Sequence, residues 1–248
     1  MLQKIWSYFT IHNEEKLPEQ VLKVISEPEL PKHPYYPTDL KLPNFTEKTY
    51  STEYLIGVFA AAAITITLVS FSIISQKRNV SGVNKVAFVW LIITGSIHIF
   101  FEGYFTYSHK TIQSDNFLFA QMWKEYSLSD SRYMTSDSFV VNMEGITAVC
   151  IGPTAYLSAI GILQNWPSRH VLQLITSLGQ LYGLVLYYAT TLLEGFPHSR
   201  PEPLYFWVYF FGINFIWVLI PGALFLQSCL YLTNTVREDQ KKKSKKTN

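Results

Sequence analysis

The sequence predicts an all-α integral membrane protein, a five-transmembrane-helix bundle, and three observations carry that reading. Only 15% of the 248 residues are charged, against about a quarter in an ordinary soluble domain. Five apolar stretches, residues 54–75, 86–107, 139–163, 171–193 and 204–232, are each long enough to cross a bilayer core, which takes roughly 20 helical residues. Of the 38 charged residues only Glu102 and Glu144 fall inside them. A soluble enzyme is excluded by this distribution. The net charge of +2 gives no argument for nucleic acid as a partner.

Residues 1–50 are polar and punctuated by Pro18, Pro28, Pro31, Pro34, Pro37 and Pro43. They read as an irregular or interfacial segment with a short helix near 17–26 and no separate domain. The start of the chain has neither the basic beginning nor the apolar core of a signal peptide, so targeting is expected from the first span. After that span, Lys77, Arg78 and Lys85 stand without an acid, and Arg237 to Lys246 hold six bases against two acids. Both segments are therefore expected on the cytosolic side. This puts the N-terminus and the loop 108–138 in the lumen, with residues 51–235 as the membrane domain and 236–248 as a basic cytosolic tail. Six lysines and seven acids in the first 50 residues make the charge asymmetry less one-sided. Lys245 and Lys246 stand fourth and third from the carboxyl end, the register of a dilysine retrieval signal for the endoplasmic reticulum. A basic tail pinned to anionic lipid explains the lysines but not their register.

Cys150 and Cys229 both lie in apolar stretches without a C-x-x-C spacing, so no disulfide framework or zinc site is expected. No metal cluster and no phosphate-cradling glycine loop is legible.

A carboxylate within a span costs a few kcal/mol on insertion scales and marks a bundle interior or a cavity. His98 and Glu102 are four residues apart, about 40° from one another on one helical face and within reach of a hydrogen bond. They form either an acid–base pair or a satisfied buried pair that pins the helix. Glu144 and Thr147 share a face of the third span, and Thr147 either orients the carboxyl or bonds back to its own helix. Asn214 and Trp217 share a face of the fifth, within the aromatic run LYFWVYFFGINFIWVLIPG. Gln173, Gln180 and Tyr182 on the fourth read as helix–helix glue. Glu102, Glu144 and Asn214 all fall roughly 8 to 15 Å below the same surface at 1.5 Å per residue, a depth at which they can meet in one cavity. Acid and base groups among aromatics, with no nucleophile beside a base, suit proton transfer on an apolar substrate with aromatic faces holding a cation.

The segments HPYYP (33–37), GSIHIFFEGYF (95–105), WKEYSLSDSRY (123–133), MEGITAV (143–149), LQLITSLGQLYG (172–183) and YFWVYFFGINFIWVLIPG (205–222) resemble the emopamil-binding protein family, in order along the chain. The resemblance implies a five-helix enzyme of the endoplasmic reticulum membrane that moves a sterol ring double bond from 8(9) to 7(8) without a cofactor. Family acid/base and binding residues match at His98, Glu102, Glu144, Thr147, Asn214 and Trp217. Tyr126 and Tyr133 match in the loop motif and are expected to cap the cavity. The implied mechanism protonates C9, passes through a cation at C8 and removes a proton from C7. His98 and Glu102 are assigned one transfer and Glu144 the other, with Trp217 facing the cation. The resemblance also implies binding of cationic amphiphilic amines and pairing of two copies. Leu184 stands where the animal enzymes have Asp. The alternative is a non-catalytic sterol or amine binding protein similar to the sigma-2 receptor branch. A purely structural scaffold gives the two buried glutamates no reason.

Overall fold

The computed structural model describes residues 30–247, so the short helix expected near 17–26 lies outside the described residues. Six helices organise them: α1 (Thr52–Ser75), α2 (Gly82–Ser108), α3 (Leu118–Tyr126), α4 (Ser138–Gln164), α5 (Arg169–Glu194) and α6 (Leu204–Lys246). All but α3 are long and apolar enough to cross a membrane. The all-α membrane bundle expected from the charge distribution is the architecture found.

Polar side chains set where these helices begin. Ser51 accepts from the Tyr54 amide, Ser81 from Asn84 and Asp137 from Val140, each satisfying a first-turn donor of α1, α2 and α4. Left-handed residues end two of them, Asn165 (φ 55°) after α4 and Gly195 (φ 77°) after α5. Three helices depart from α-helical geometry, and α6 is π-helical over its first ten residues, Leu204–Ile213. α2 takes a π-helical turn over Ile97–Glu102 and α4 another over Thr147–Ile151, and the two turns pack together. The second turn leads directly into Pro153, which has no amide proton to give the ladder.

α5 packs along α6, α4 lies between α2 and α5, and α1 leans on α2. Glycines permit the close approaches: a Cβ on Gly95 would stand 3.3 Å from the Gly152 carbonyl, and one on Gly179 would run into Ile151. α1 buries only Leu55, Ser70 and Ile74, so most of its surface is presented to lipid. Leu68, Val86, Val149 and Leu193 likewise point outward, each at least 65% exposed.

Residues 30–50, the segment 109–137 and α3 form a cap over one end of the bundle. The N-terminal part is held firmly despite having no helix. Tyr35, Leu42 and Phe45 are buried against Trp123, Leu128 and Met134. The Tyr35 hydroxyl donates to the Lys124 carbonyl, Ser131 donates to the Tyr36 carbonyl, and Gln121 Oε1 accepts from the Thr49 and Tyr50 amides. At the other end, which we call the tail end, α6 continues without interruption through the basic residues.

Candidate active site

The π-helical turn of α2 carries His98 and Glu102 inward. His98 Nδ1 lies 2.7 Å from Glu102 Oε2, the hydrogen bond that their spacing predicts. The other imidazole nitrogen is held 3.0 Å from the Gln180 side-chain amide on α5. With that amide donating to Nε2, the imidazole proton sits on Nδ1 and is given to Glu102. The imidazole lies 5.1 Å from the Trp217 ring, which in turn lies 5.3 Å from Trp90. His98 is thereby clamped on both nitrogens and one face, and it is 3% exposed.

Glu144, on α4, approaches from the opposite side. Its Oε1 accepts a 2.5 Å hydrogen bond from Tyr133. Glu102 and Glu144 both line the same cavity, so the two carboxyls face one enclosed space. Tyr133 stacks 4.7 Å from Trp123, and Trp123 stacks 4.4 Å from Phe101 of α2. The Tyr126 hydroxyl pairs with the Asn214 side chain at 2.9 Å, and Asn214 also donates to the Phe210 carbonyl. Burial pushes the Tyr126 and Tyr133 phenols above the usual tyrosine range, so both serve as neutral hydroxyls and not as bases.

These groups surround a cavity of about 410 Å³, within the size range of small-molecule sites. Glu102, Glu144, Tyr126, Tyr133, Asn214 and Trp217 all line it, as do Phe59 of α1 and Ile213 and Ile216 of α6. His98 does not line it but stands behind Glu102 and Trp217. Thr147 does not line it either: its hydroxyl donates 2.8 Å to the Met143 carbonyl. Of its two sequence readings, the back-bonded one is the arrangement found. Tyr182 faces outward at 65% exposure, while Gln173 bonds to Gln227, Ser228 and the Leu224 carbonyl near the tail end.

Sequence reasoning missed one group. Glu125, on α3, lines the cavity and is 5% exposed; a charge in a loop motif reads as solvated. Gln180, read as helix–helix glue, does join α5 to α2, and it does so by holding the imidazole. Two further positions of WKEYSLSDSRY act between the cap and α5. Asp130 and Arg132 form a buried ion pair, and Arg132 reaches Thr190 and Thr191 of α5 and lies 4.9 Å from the Tyr187 ring. That pair ties the cap to the bundle. Among the described residues no cluster of His, Cys, Asp and Glu has metal-binding geometry.

Fold and site together define a multi-span membrane protein with a pocket lined by carboxyls and roofed by an aromatic cap. The EBP family model, described as EXPERA (EXPanded EBP superfamily), matches residues 118–228. The chain is 40% identical to the rat 3-beta-hydroxysteroid-Delta(8),Delta(7)-isomerase over 83% of its length and 90% of the relative's. It is 41% identical to the mouse protein of the same name, over 83% and 90% of the two chains. A probable isomerase of that name from Arabidopsis thaliana is 35% identical, over 77% and 85%. The chain belongs to the EBP family of the EXPERA superfamily.

Proposed function

We propose that this protein is a sterol Δ8,Δ7-isomerase, an enzyme of sterol biosynthesis that moves a ring double bond without redox change. The observation that carries the reading is the convergence of Glu102 and Glu144 on one aromatic cavity. An acid there adds a proton to C9 of a Δ8-sterol, leaving a tertiary cation at C8. A base then takes a proton from C7, and the electrons of that C–H bond form the 7(8) double bond. One proton enters and one leaves, so no cofactor is required. Glu102, backed by His98, serves one transfer and Glu144, backed by Tyr133, the other. The Trp217 ring faces the developing cation, and Asn214 holds Tyr126 in the wall. The aromatic lining keeps water from capturing the cation as an alcohol.

A pocket that holds a carbocation between carboxyls suits cationic amphiphilic amines as inhibitors. The basic loop at 77–85 and the dilysine register support an endoplasmic reticulum location with the tail cytosolic and the cap lumenal. Pairing of two copies, with lipid around them, belongs to the same reading.

The test is incubation of purified protein with a Δ8-sterol in deuterated water, without added cofactor, followed by separation and mass spectrometry of the sterols. Δ7-sterol carrying one deuterium is the expected product. Folded protein that binds sterol or amine but makes no Δ7-sterol would establish the binding-protein reading instead.

A further inference from the structure

The isomerase reading leaves one cavity carboxylate unused, and its surroundings are too elaborate for a bystander. Glu125 stands at the cap end of the cavity, 5% exposed. One of its oxygens, Oε2, is fully engaged: Lys48 Nζ lies 2.5 Å away and the Thr52 hydroxyl 3.0 Å. The other, Oε1, has only a long 3.5 Å approach from the Tyr209 hydroxyl. A carboxylate oxygen accepts more than one good hydrogen bond. Oε1 therefore retains acceptor capacity in a cavity whose walls are otherwise largely aromatic and aliphatic.

We infer that Glu125 is the anchor for the substrate's 3β-hydroxyl, accepting its proton on Oε1 and thereby setting which ring carbons reach the acid pair. This rests on the isomerase reading of the same cavity and adds the orientation of the substrate within it. The hydroxyl is the one hydrogen-bond donor of a simple sterol, and a donor to an ionised carboxylate makes a stronger bond than one to a neutral acceptor. Lys48 offsets the carboxylate charge, so the anchor is held in place before the sterol arrives.

The rigid sterol nucleus serves as a ruler. C9 is four carbon–carbon bonds from C3, which at about 1.5 Å per bond and a zigzag path is about 5 Å, with the 3-oxygen one bond further. On α6 the corresponding step is Tyr209, beside Glu125, to Asn214, which pairs with Tyr126 near the acid pair. Those five residues make one turn of the π-helical stretch Leu204–Ile213, whose i→i+5 bonding puts both on one face. A sterol anchored at Glu125 thus directs its B and C rings along the cavity toward Glu102 and Glu144, with Trp217 facing C8. The anchor also gives residues 48–52 a role: they deliver Lys48 and Thr52 to the carboxylate.

The test crosses a substrate change with a residue change, using the full chain in detergent or lipid discs. Turnover of a 3β-hydroxy Δ8-sterol and its 3-deoxy counterpart is compared in the wild type, Glu125→Gln and Glu125→Leu. The wild type is expected to prefer the hydroxysterol by about tenfold to a hundredfold in kcat/KM, the size of one charged hydrogen bond. Glu125→Leu should abolish the preference and Glu125→Gln should reduce it, with turnover of the hydroxysterol falling far more than that of the 3-deoxysterol. An intact preference in both variants, or an equal fall for both sterols, overturns the assignment. Should both variants fail to fold, a wild-type structure with bound Δ8-sterol decides. A 3-oxygen in hydrogen-bond contact with Glu125 supports the anchor, and one placed at His98 or in lipid rules it out. Wild-type protein that binds the hydroxysterol in preference to the 3-deoxysterol yet forms no Δ7 product would end the isomerase reading while leaving the anchor standing.

Discussion

Tyr133 gives its hydroxyl proton to Glu144 across 2.5 Å while its ring lies stacked 4.7 Å from Trp123. The stack fixes the ring, and the ring fixes the carboxyl, so a residue of the cap orients an acid on a membrane helix. Tyr133→Phe keeps the stack and removes only the hydrogen bond. A hydrogen bond to a buried charged or acidic group contributes about 1.5–3 kcal/mol. The expected result is a fall in kcat of about tenfold to a hundredfold, with sterol affinity nearly unchanged. Steady-state kinetics beside a binding isotherm checks it; a change in affinity alone would assign Tyr133 to the wall.

Glu144→Gln preserves the shape of the side chain and its ability to accept from Tyr133, but it removes the exchangeable proton. Isomerisation should drop below detection while binding of a cationic amine persists, though weakened by loss of the charge. Glu102→Gln is expected to behave in the same way, because both carboxyls reach the cavity. Turnover retained by either variant would remove that residue from the proton path. The measurement is sterol product analysis alongside radioligand binding on the same preparation.

The near absence of charge from five long stretches made the spans legible, and the two exceptions made the acid pair legible. Helical rise alone placed Glu102, Glu144 and Asn214 at one depth, and one cavity joins them. Other features left no mark in the sequence. A π-helical turn has no compositional signature, yet those at Ile97–Glu102 and Thr147–Ile151 set the direction of the side chains around the site. Thr147 illustrates the consequence, since its hydroxyl turns to the Met143 carbonyl of its own helix and not to Glu144. The packing of residues 30–50 was equally hidden, because a proline-rich segment has no periodicity from which a buried face can be read. Glu125 was hidden for a third reason: only pairing with Lys48 across the cap shows that its charge is not solvated.

The glycines at the helix crossings allow a graded test of how tightly His98 is held. A Cβ on Gly152 would stand 2.6 Å from Ile99 Cγ1 and 3.1 Å from His98 Cβ, atoms close to the α2 backbone. A Cβ on Gly179 would instead meet Ile151 Cδ1, the far end of a side chain that can rotate. Overpacking that cannot relax costs about 1–3 kcal/mol. Gly152→Ala is expected to lower both Tm and kcat, whereas Gly179→Ala should lower Tm less and leave kcat within about twofold. Thermal unfolding in detergent and product formation measure the two quantities. Equal effects would mean that the α2–α4 crossing does not set the imidazole position.

Trp217 has two contacts that separate its roles, the His98 imidazole at 5.1 Å and the cavity itself. Trp217→Leu removes the aromatic face and much of the side-chain volume, so Tm is measured beside kcat. If the ring holds the developing cation, kcat should fall by roughly tenfold or more, since a desolvated cation–π contact contributes about 2 kcal/mol. Trp217→Phe should recover part of that loss, because phenylalanine also presents a π face. If the ring only packs His98, Leu and Phe will behave alike.

Gln180 acts on the substrate only through His98, so its contribution must be sought in the behaviour of the imidazole. Its side-chain nitrogen lies 3.0 Å from His98 Nε2, while its Oε1 is buried without a hydrogen-bond partner. The amide thus has one end committed and one end free. Rotated by half a turn, it accepts a proton from Nε2 as readily as it donates one now, so the same side chain serves neutral and protonated imidazole. Gln180→Leu removes both options and leaves Nε2 buried without a partner, whereas Gln180→Glu keeps an acceptor and favours the imidazolium. The expected outcome is a lower kcat for both with KM little changed. The pH dependence of kcat should differ between the two, because only Gln180→Glu places a further carboxyl against the imidazole. Rescue of kcat in Gln180→Asn, which is too short to reach without a shift of α5, would instead show that packing and not the hydrogen bond is what position 180 supplies.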